Sequence, residues 1–384
     1  MLRTFVVALA AVLASFFTHA DAYASEGDAD GAALWAAGSK AYNEGNLAEA
    51  RDLLSRAANA GNAPAMNLLG QILQKGFGGS ADLPAARAWY ETAAMSGGLS
   101  EAMFSLAMML RNGEGGPKDL PSARSWFEKA ANAGSVPAMD WMGYLSQDGE
   151  GGPQDFATAR LWFQRAADHG DANGLYRIGY YFETGTGGAA DPRAAREMYH
   201  KAAEKGLVRA MTYYAKALYD GTGGRKDLSG ARDWAQKAAE KGDADAMGML
   251  ATIYAHGQGI SVNYAFARTW AESASEGGCS FAMPLYGFLL EKGLGGSKNL
   301  PEARQWYEKA AEAGDRIGMY DYGIALLQGK GGPRKIKDGR AWLKKAADLG
   351  DPDAKRYFAH NRRSGRPAVR KPSYESPFGG LLPF

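Results

Sequence analysis

Gly113-Glu114-Gly115-Gly116-Pro117 sets bare backbone N–H groups ahead of a helix-forming run, which is the chemistry of a phosphate cradle. A nucleotide site is needed once. The tetrad Gly-x-Gly-Gly instead starts at Gly76, Gly113, Gly149, Gly185, Gly221, Gly293 and Gly329, and an altered copy reads Gly257-Gln258-Gly259-Ile260. Each copy lies between two helix-forming segments, and none follows a strand-forming one. The motif therefore reads as a structural turn whose glycines supply positive φ and close approach at a helix end.

The remaining chemistry-bearing residues form no constellation. His19, His169, His200, His256 and His360 stand singly, without the spacing of a metal site, and read as surface residues. There is no G-x-S-x-G elbow and no S-x-x-K. Asp82, Asp119, Asp155, Asp191 and Asp227 recur in register, as loop or helix N-cap residues do. Cys279 is the single cysteine, so no internal disulfide is possible, and small apolar residues at its equivalent positions make it a buried packing residue. No catalytic residue, metal ligand or cofactor is expected, and the chain reads as a non-enzyme.

The elements that position these residues repeat every 36 residues, with one step of 37. Trp89, Trp126, Trp162, Trp234, Trp270, Trp306 and Trp342 keep the beat, and Met198 fills the missing slot. An Arg stands two residues before each, from Arg87 to Arg340, and reads as packing and pairing between repeats. Each unit holds two helices. In 101–112 Ala102, Leu106, Ala107 and Leu110 share one face; in 122–134 Ala123, Trp126, Phe127, Ala130 and Ala131 do so, and Gly134 ends the run. Small residues let the helices approach, and the Trp is expected to fill the space between them. One helix pair cannot bury its own face, so neighbours must stack.

This pattern, running as Ala138, Gly143, Gly149, Gly151, Asp155, Ala159, Trp162, Ala166-Ala167 and Gly170, resembles the Sel-one-like repeat family, a branch of the tetratricopeptide-like solenoids. The resemblance covers about 63–361. It departs at the loop glycine where the family usually has Val, at Met198, and at Lys335, where most copies have Asp or Asn. It implies an all-α fold, a right-handed α/α solenoid of helix-turn-helix repeats forming a tetratricopeptide-like superhelix.

Four segments follow. Residues 1–24 read as a cleaved signal peptide: Arg3, an apolar run from Phe5 to Phe17, then A-x-A sites, a run too short to anchor in a bilayer. Residues 25–62 read as an N-terminal tetratricopeptide-like capping repeat with a shorter loop. Residues 63–361 hold eight full repeats and a terminal helix. Residues 362–384, with five basic residues and one acidic, read as a disordered basic tail rich in Pro and Gly. The expected product is a periplasmic or secreted monomer with no stable membrane span. A net charge of +2 gives no global field for nucleic acid.

In solenoids of this kind the first helix of each pair lines the concave face. Counting three before, one after and four after the mid-helix Gly or Ala, the resemblance places Phe104, Tyr144, Tyr176, Tyr180, Tyr219, Phe288 and Tyr320 there. Aromatic groups in a groove are typical binding anchors for a protein or peptide partner. A register one residue off would put them in the core instead. The expected role is an exported interaction scaffold, with envelope regulation or assembly implied by the family. The alternative is an envelope glycan-binding or hydrolytic protein, the latter after the penicillin-hydrolase label some cysteine-rich relatives carry; nothing in the residues supports that activity.

Overall fold

The computed structural model describes residues 29–364, with side chains over 30–359. The expected signal peptide, and the tail beyond Ser364, lie outside them. Every regular element among the described residues is a helix. They are α1 (Ala29–Asn43), α2 (Leu47–Asn59), α3 (Ala63–Lys75), α4 (Leu83–Ser96), α5 (Ser100–Asn112), α6 (Leu120–Asn132), α7 (Val136–Asp148), α8 (Phe156–Asp168) and α9 (Ala172–Thr184). There follow α10 (Pro192–Glu204), α11 (Val208–Asp220), α12 (Leu228–Ala239), α13 (Ala244–His256) and α14 (Tyr264–Glu276). The last five are α15 (Ala282–Lys292), α16 (Leu300–Glu312), α17 (Arg316–Gln328), α18 (Ile336–Asp348) and α19 (Pro352–Ser364), which runs three residues into the segment read as tail. The chain divides into two compact units, one ending at Gly174 and one beginning at Leu175, both built of helix pairs. This is the all-α repeat solenoid that the 36-residue beat anticipates.

Capping explains where the second helices start. The carboxylates of Asp82, Asp119, Asp155, Asp191 and Asp227 accept backbone N–H bonds from the first turns of α4, α6, α8, α10 and α12, and Asn263 and Asn299 do the same for α14 and α16. Lys335, the departure in register, gives α18 no side-chain cap. The tetrad behaves as a turn: Gly113 ends α5 in the left-handed region at φ 74°.

The core corrects one expectation. Trp126, Trp234, Trp270 and Trp342 are only half-buried. The residue after each Trp is the one that turns fully inward: Tyr90, Phe127, Phe163, Tyr307 and Leu343 are each at most 2% exposed, and Tyr199 is the same after Met198. Its partner is the small mid-helix residue of the same repeat, glycine for Tyr90, Phe163, Tyr199, Tyr307 and Leu343 and Ala107 in the repeat of Phe127. A Cβ on Gly143 would lie 2.4 Å from the Phe163 ring, and one on Gly287 2.6 Å from that of Tyr307. At those two positions glycine is required because the ring sits directly on the helix backbone. The Trp lies beside this packing, buried at Trp162 and Trp306 and half-buried in the other repeats, often with a cation over its ring.

Consecutive repeats are joined by two devices in the loop. A Cβ on the third residue of the tetrad would meet the preceding repeat's backbone: Gly115 at 2.3 Å from the Leu83 carbonyl oxygen, Gly331 at 2.1 Å from that of Leu300. The recurring Arg then reaches forward over the fourth residue. Arg87 donates to the Pro117 carbonyl (3.1 Å), Arg196 to Arg225 (2.9 Å), Arg268 to Ser297 (2.8 Å) and Arg304 to Pro333 (3.0 Å). A Cβ at Gly116, Gly224, Gly296 or Gly332 would fall 2.6–2.7 Å from that guanidinium, so glycine at this position makes room for the clamp. The sequence-based pairing role for the Arg is thus a specific side chain to carbonyl bond between repeats.

Candidate functional site on the first helices

The three register slots proposed for a partner have different fates. The slot four residues after mid-helix is used within the array. Gln74 accepts the Tyr90 hydroxyl (3.1 Å) and donates to Glu114 in the next loop (2.7 Å). Arg111 pairs with Glu150 at 2.7 Å, and its guanidinium lies 4.6 Å from the centre of the Trp141 ring. Glu291 accepts the Lys330 ammonium (2.7 Å) and the Tyr307 hydroxyl (3.3 Å). Burial alone would raise the Glu291 carboxyl, but bonds from Lys292 and Lys330 outweigh it and hold the group below its ordinary range. Tyr219 occupies this slot and is buried, with its hydroxyl donated to Gln258 of the next loop.

The slot three before mid-helix is mostly interior. Tyr176 is buried in a cluster with Tyr199 and Tyr213, at ring separations of 6.0 and 5.3 Å. Tyr199 donates to Glu183 at 2.6 Å. Burial, followed by the Glu183 carboxylate, pushes the Tyr199 hydroxyl far above its ordinary value. Tyr320 is likewise buried, and burial with Asp353, Asp321 and Asp351 nearby raises its hydroxyl too. Phe104 alone of the aromatics in this slot is half-buried, packed edge-on to Phe127 at 5.6 Å.

The slot one after mid-helix keeps aromatic surface. Tyr144 follows Gly143, Tyr180 follows Gly179 and Phe288 follows Gly287, and all three are half-buried. Tyr144 packs edge-on to Phe163 (5.3 Å) and Trp141 (6.1 Å), so in the first unit Phe104 and Tyr144 are joined through Phe127 and Trp141. Tyr180 lies edge-on to Tyr181, and Phe288 has the Lys292 ammonium 5.6 Å from its ring centre. Sequence reasoning missed Trp141 and the loop partners Glu114, Glu150, Gln258 and Lys330. The loop partners carried a signal: each stands at the second position of the tetrad, which varies where the glycines do not.

Catalytic chemistry finds little to build on. Cys279 is buried, and burial with the Asp245 carboxylate raises its thiol far above the ordinary value, so it is not poised as a nucleophile. No group of His, Cys, Asp and Glu able to hold a metal is found among the described residues. No helix among them is long and apolar enough to cross a membrane.

The Sel1 repeat family model matches the chain nine times, at 32–62, 63–98, 100–135, 136–171, 172–207, 208–243, 244–279, 280–315 and 317–351. It therefore also covers the unit read as a capping repeat. Among solved structures, the chain is similar to a protective antigen of uropathogenic Escherichia coli displaying an SLR fold, at 27% identity over 86% of this chain and 80% of that one, with a TM-score of 0.71. It is also similar to a Sel1 repeat protein from Oxalobacter formigenes, at 26% identity over 80% and 89% of the two chains, with a TM-score of 0.63. No curated protein matches it.

Proposed function

The chain belongs to the Sel1 repeat family, whose members are generally protein-interaction scaffolds and generally non-enzymatic, and on that premise we propose that it is an exported scaffold holding a protein or peptide segment on its first-helix, concave face. The observation that carries this reading is the register position shared by Tyr144, Tyr180 and Phe288. On the first helices and in the loops, the Asp caps, the glycines, the Arg clamp and the inward aromatic are consumed by the fold. These three large rings are instead left half-open at one equivalent place. Partly exposed aromatics on a rigid backbone anchor a partner at low entropic cost. Phe104 would add to the surface in the first unit. An envelope role accords with the signal-like residues 1–24.

Two tests address the two halves. Terminal sequencing of the protein recovered from the envelope or medium should begin at Ser25; a chain retaining Met1 inside the cell refutes export. A photo-crosslinking amino acid placed at Tyr180 should trap one protein species, whereas the same group at exposed Gln305 on α16 should not.

A further inference from the structure

One junction lacks the clamp. In the second unit the tetrad's fourth residue is Ile260 rather than glycine. The preceding Arg232 does not reach over that loop; its guanidinium turns to the adjacent Asp233 carboxylate at 2.8 Å. Beside it opens a surface cleft of ≈ 500 Å³ with Tyr254, Phe266 and Trp270 in its lining. Tyr254 and Phe266 lie 5.4 Å apart, ring centre to ring centre. Phe266 is 54% exposed, and Val262 and Tyr264 beside it in sequence are exposed as well, an apolar surface that a monomer does not need.

The other repeats show what belongs on such a tryptophan. Five of them carry this chain's own cation three residues later, stacked on the ring: Lys129 on Trp126 (3.9 Å), Arg165 on Trp162 (4.5 Å), Lys237 on Trp234 (4.1 Å), Lys309 on Trp306 (3.8 Å) and Lys345 on Trp342 (3.9 Å). At Trp270 that residue is Ser273, and no cation lies over the ring among the described residues. Trp89 shares the omission, with Thr92, but there the preceding clamp is intact, Arg51 donating to the Ser80 carbonyl. Only at Trp270 do the uncovered ring and the missing clamp coincide.

The charges in the cleft are already partly spent. Arg232 neutralises Asp233, and Lys237 is stacked on Trp234. Glu240 takes only a neutral bond, from the Gln236 amide at 2.9 Å, and leaves its carboxylate for an incoming cation. We infer that this cleft, formed by α12, the end of α13 and α14, receives a lysine or arginine side chain of a partner polypeptide. The ammonium or guanidinium sits on the Trp270 face, walled by Phe266 and Tyr254, with Glu240 as counter-charge. The residues belong to the second helices and the end of a first, so this surface is separate from the one carrying Tyr144, Tyr180 and Phe288.

The probe is an acetylated hexalysine peptide titrated into the full chain labelled with 15N at the indole nitrogens. The Trp270 signal is assigned by its loss in Trp270→Phe. Hexalysine should shift it saturably, and hexaglutamate should not. Ser273→Lys supplies the missing internal cation and should weaken the titration about fivefold, as should Glu240→Gln. Gln305→Lys adds the same charge at an exposed site and should leave it unchanged. The inference is overturned if the Trp270 signal does not move, if hexaglutamate moves it equally, or if Ser273→Lys and Gln305→Lys behave alike.

Discussion

Phe163 and Trp126, taken from successive repeats and one register step apart, show how one step along a helix decides a residue's role. Adjacent side chains point about 100° apart, so only one of the pair can face the glycine of the first helix. Phe163 is fully buried on Gly143, whereas Trp126 is half-buried with Lys129 on its outer face. Phe163→Ala should therefore destabilise its repeat by about 3–5 kcal/mol, and Trp126→Ala by roughly 1–2 kcal/mol. Urea unfolding of the two variants checks the order, and a larger cost at Trp126 would restore the tryptophan to the core. This distinction is not legible in the sequence. Both positions are large and apolar, and the indole is the bigger; what decides between them is the direction each takes against the backbone of the first helix. The same limit affects the candidate site. Tyr176, Tyr219 and Tyr320 share the spacing of surface slots yet are buried; Tyr213 of the next first helix packs on Tyr176, and Gln258 of the next loop meets Tyr219.

At the scale of helices and loops, much more is legible. Cap, turn and helix end are local chemistry, so Asp119, Gly113 and Gly115 announce them without knowledge of packing. The junction adds a graded prediction. Gly331 has φ 69° and a Cβ there would lie 2.1 Å from a backbone oxygen, whereas one on Gly332 would meet the movable end of Arg304 at 2.7 Å. Gly331→Ala should cost about 3 kcal/mol or more, and Gly332→Ala about 1 kcal/mol, the worth of the displaced hydrogen bond. Equal unfolding midpoints for the two would contradict the stacking described. The tyrosines between helices set a pH limit. Burial, then nearby carboxylates, raise Tyr199 and Tyr307 far above their ordinary value. An unfolded tyrosine ionises near pH 10, so the folded chain keeps protons that the unfolded one releases. This stability is complete below about pH 10 and is lost as pH rises beyond it. Phenolate absorbance for these residues should appear together with loss of helicity; free ionisation near pH 10 with helices intact would refute it.

For the molecule as a whole, regularity is what exposes function. Repeats whose caps, clamps and core positions match leave their differences as the candidates for recognition, and those differences fall at the half-open rings of the first helices and at the unclamped junction of Ile260. The central claim concerns the former. Its most direct measurement is capture of partners from an envelope extract by the mature protein and by a Tyr144→Ser, Tyr180→Ser, Phe288→Ser variant whose helicity matches it. The account predicts that one specific protein is retained by the parent chain and lost at least tenfold by the variant, since several anchors each contribute about 1 kcal/mol or more. An unchanged partner at unchanged affinity would contradict it and remove the first-helix face as the binding surface.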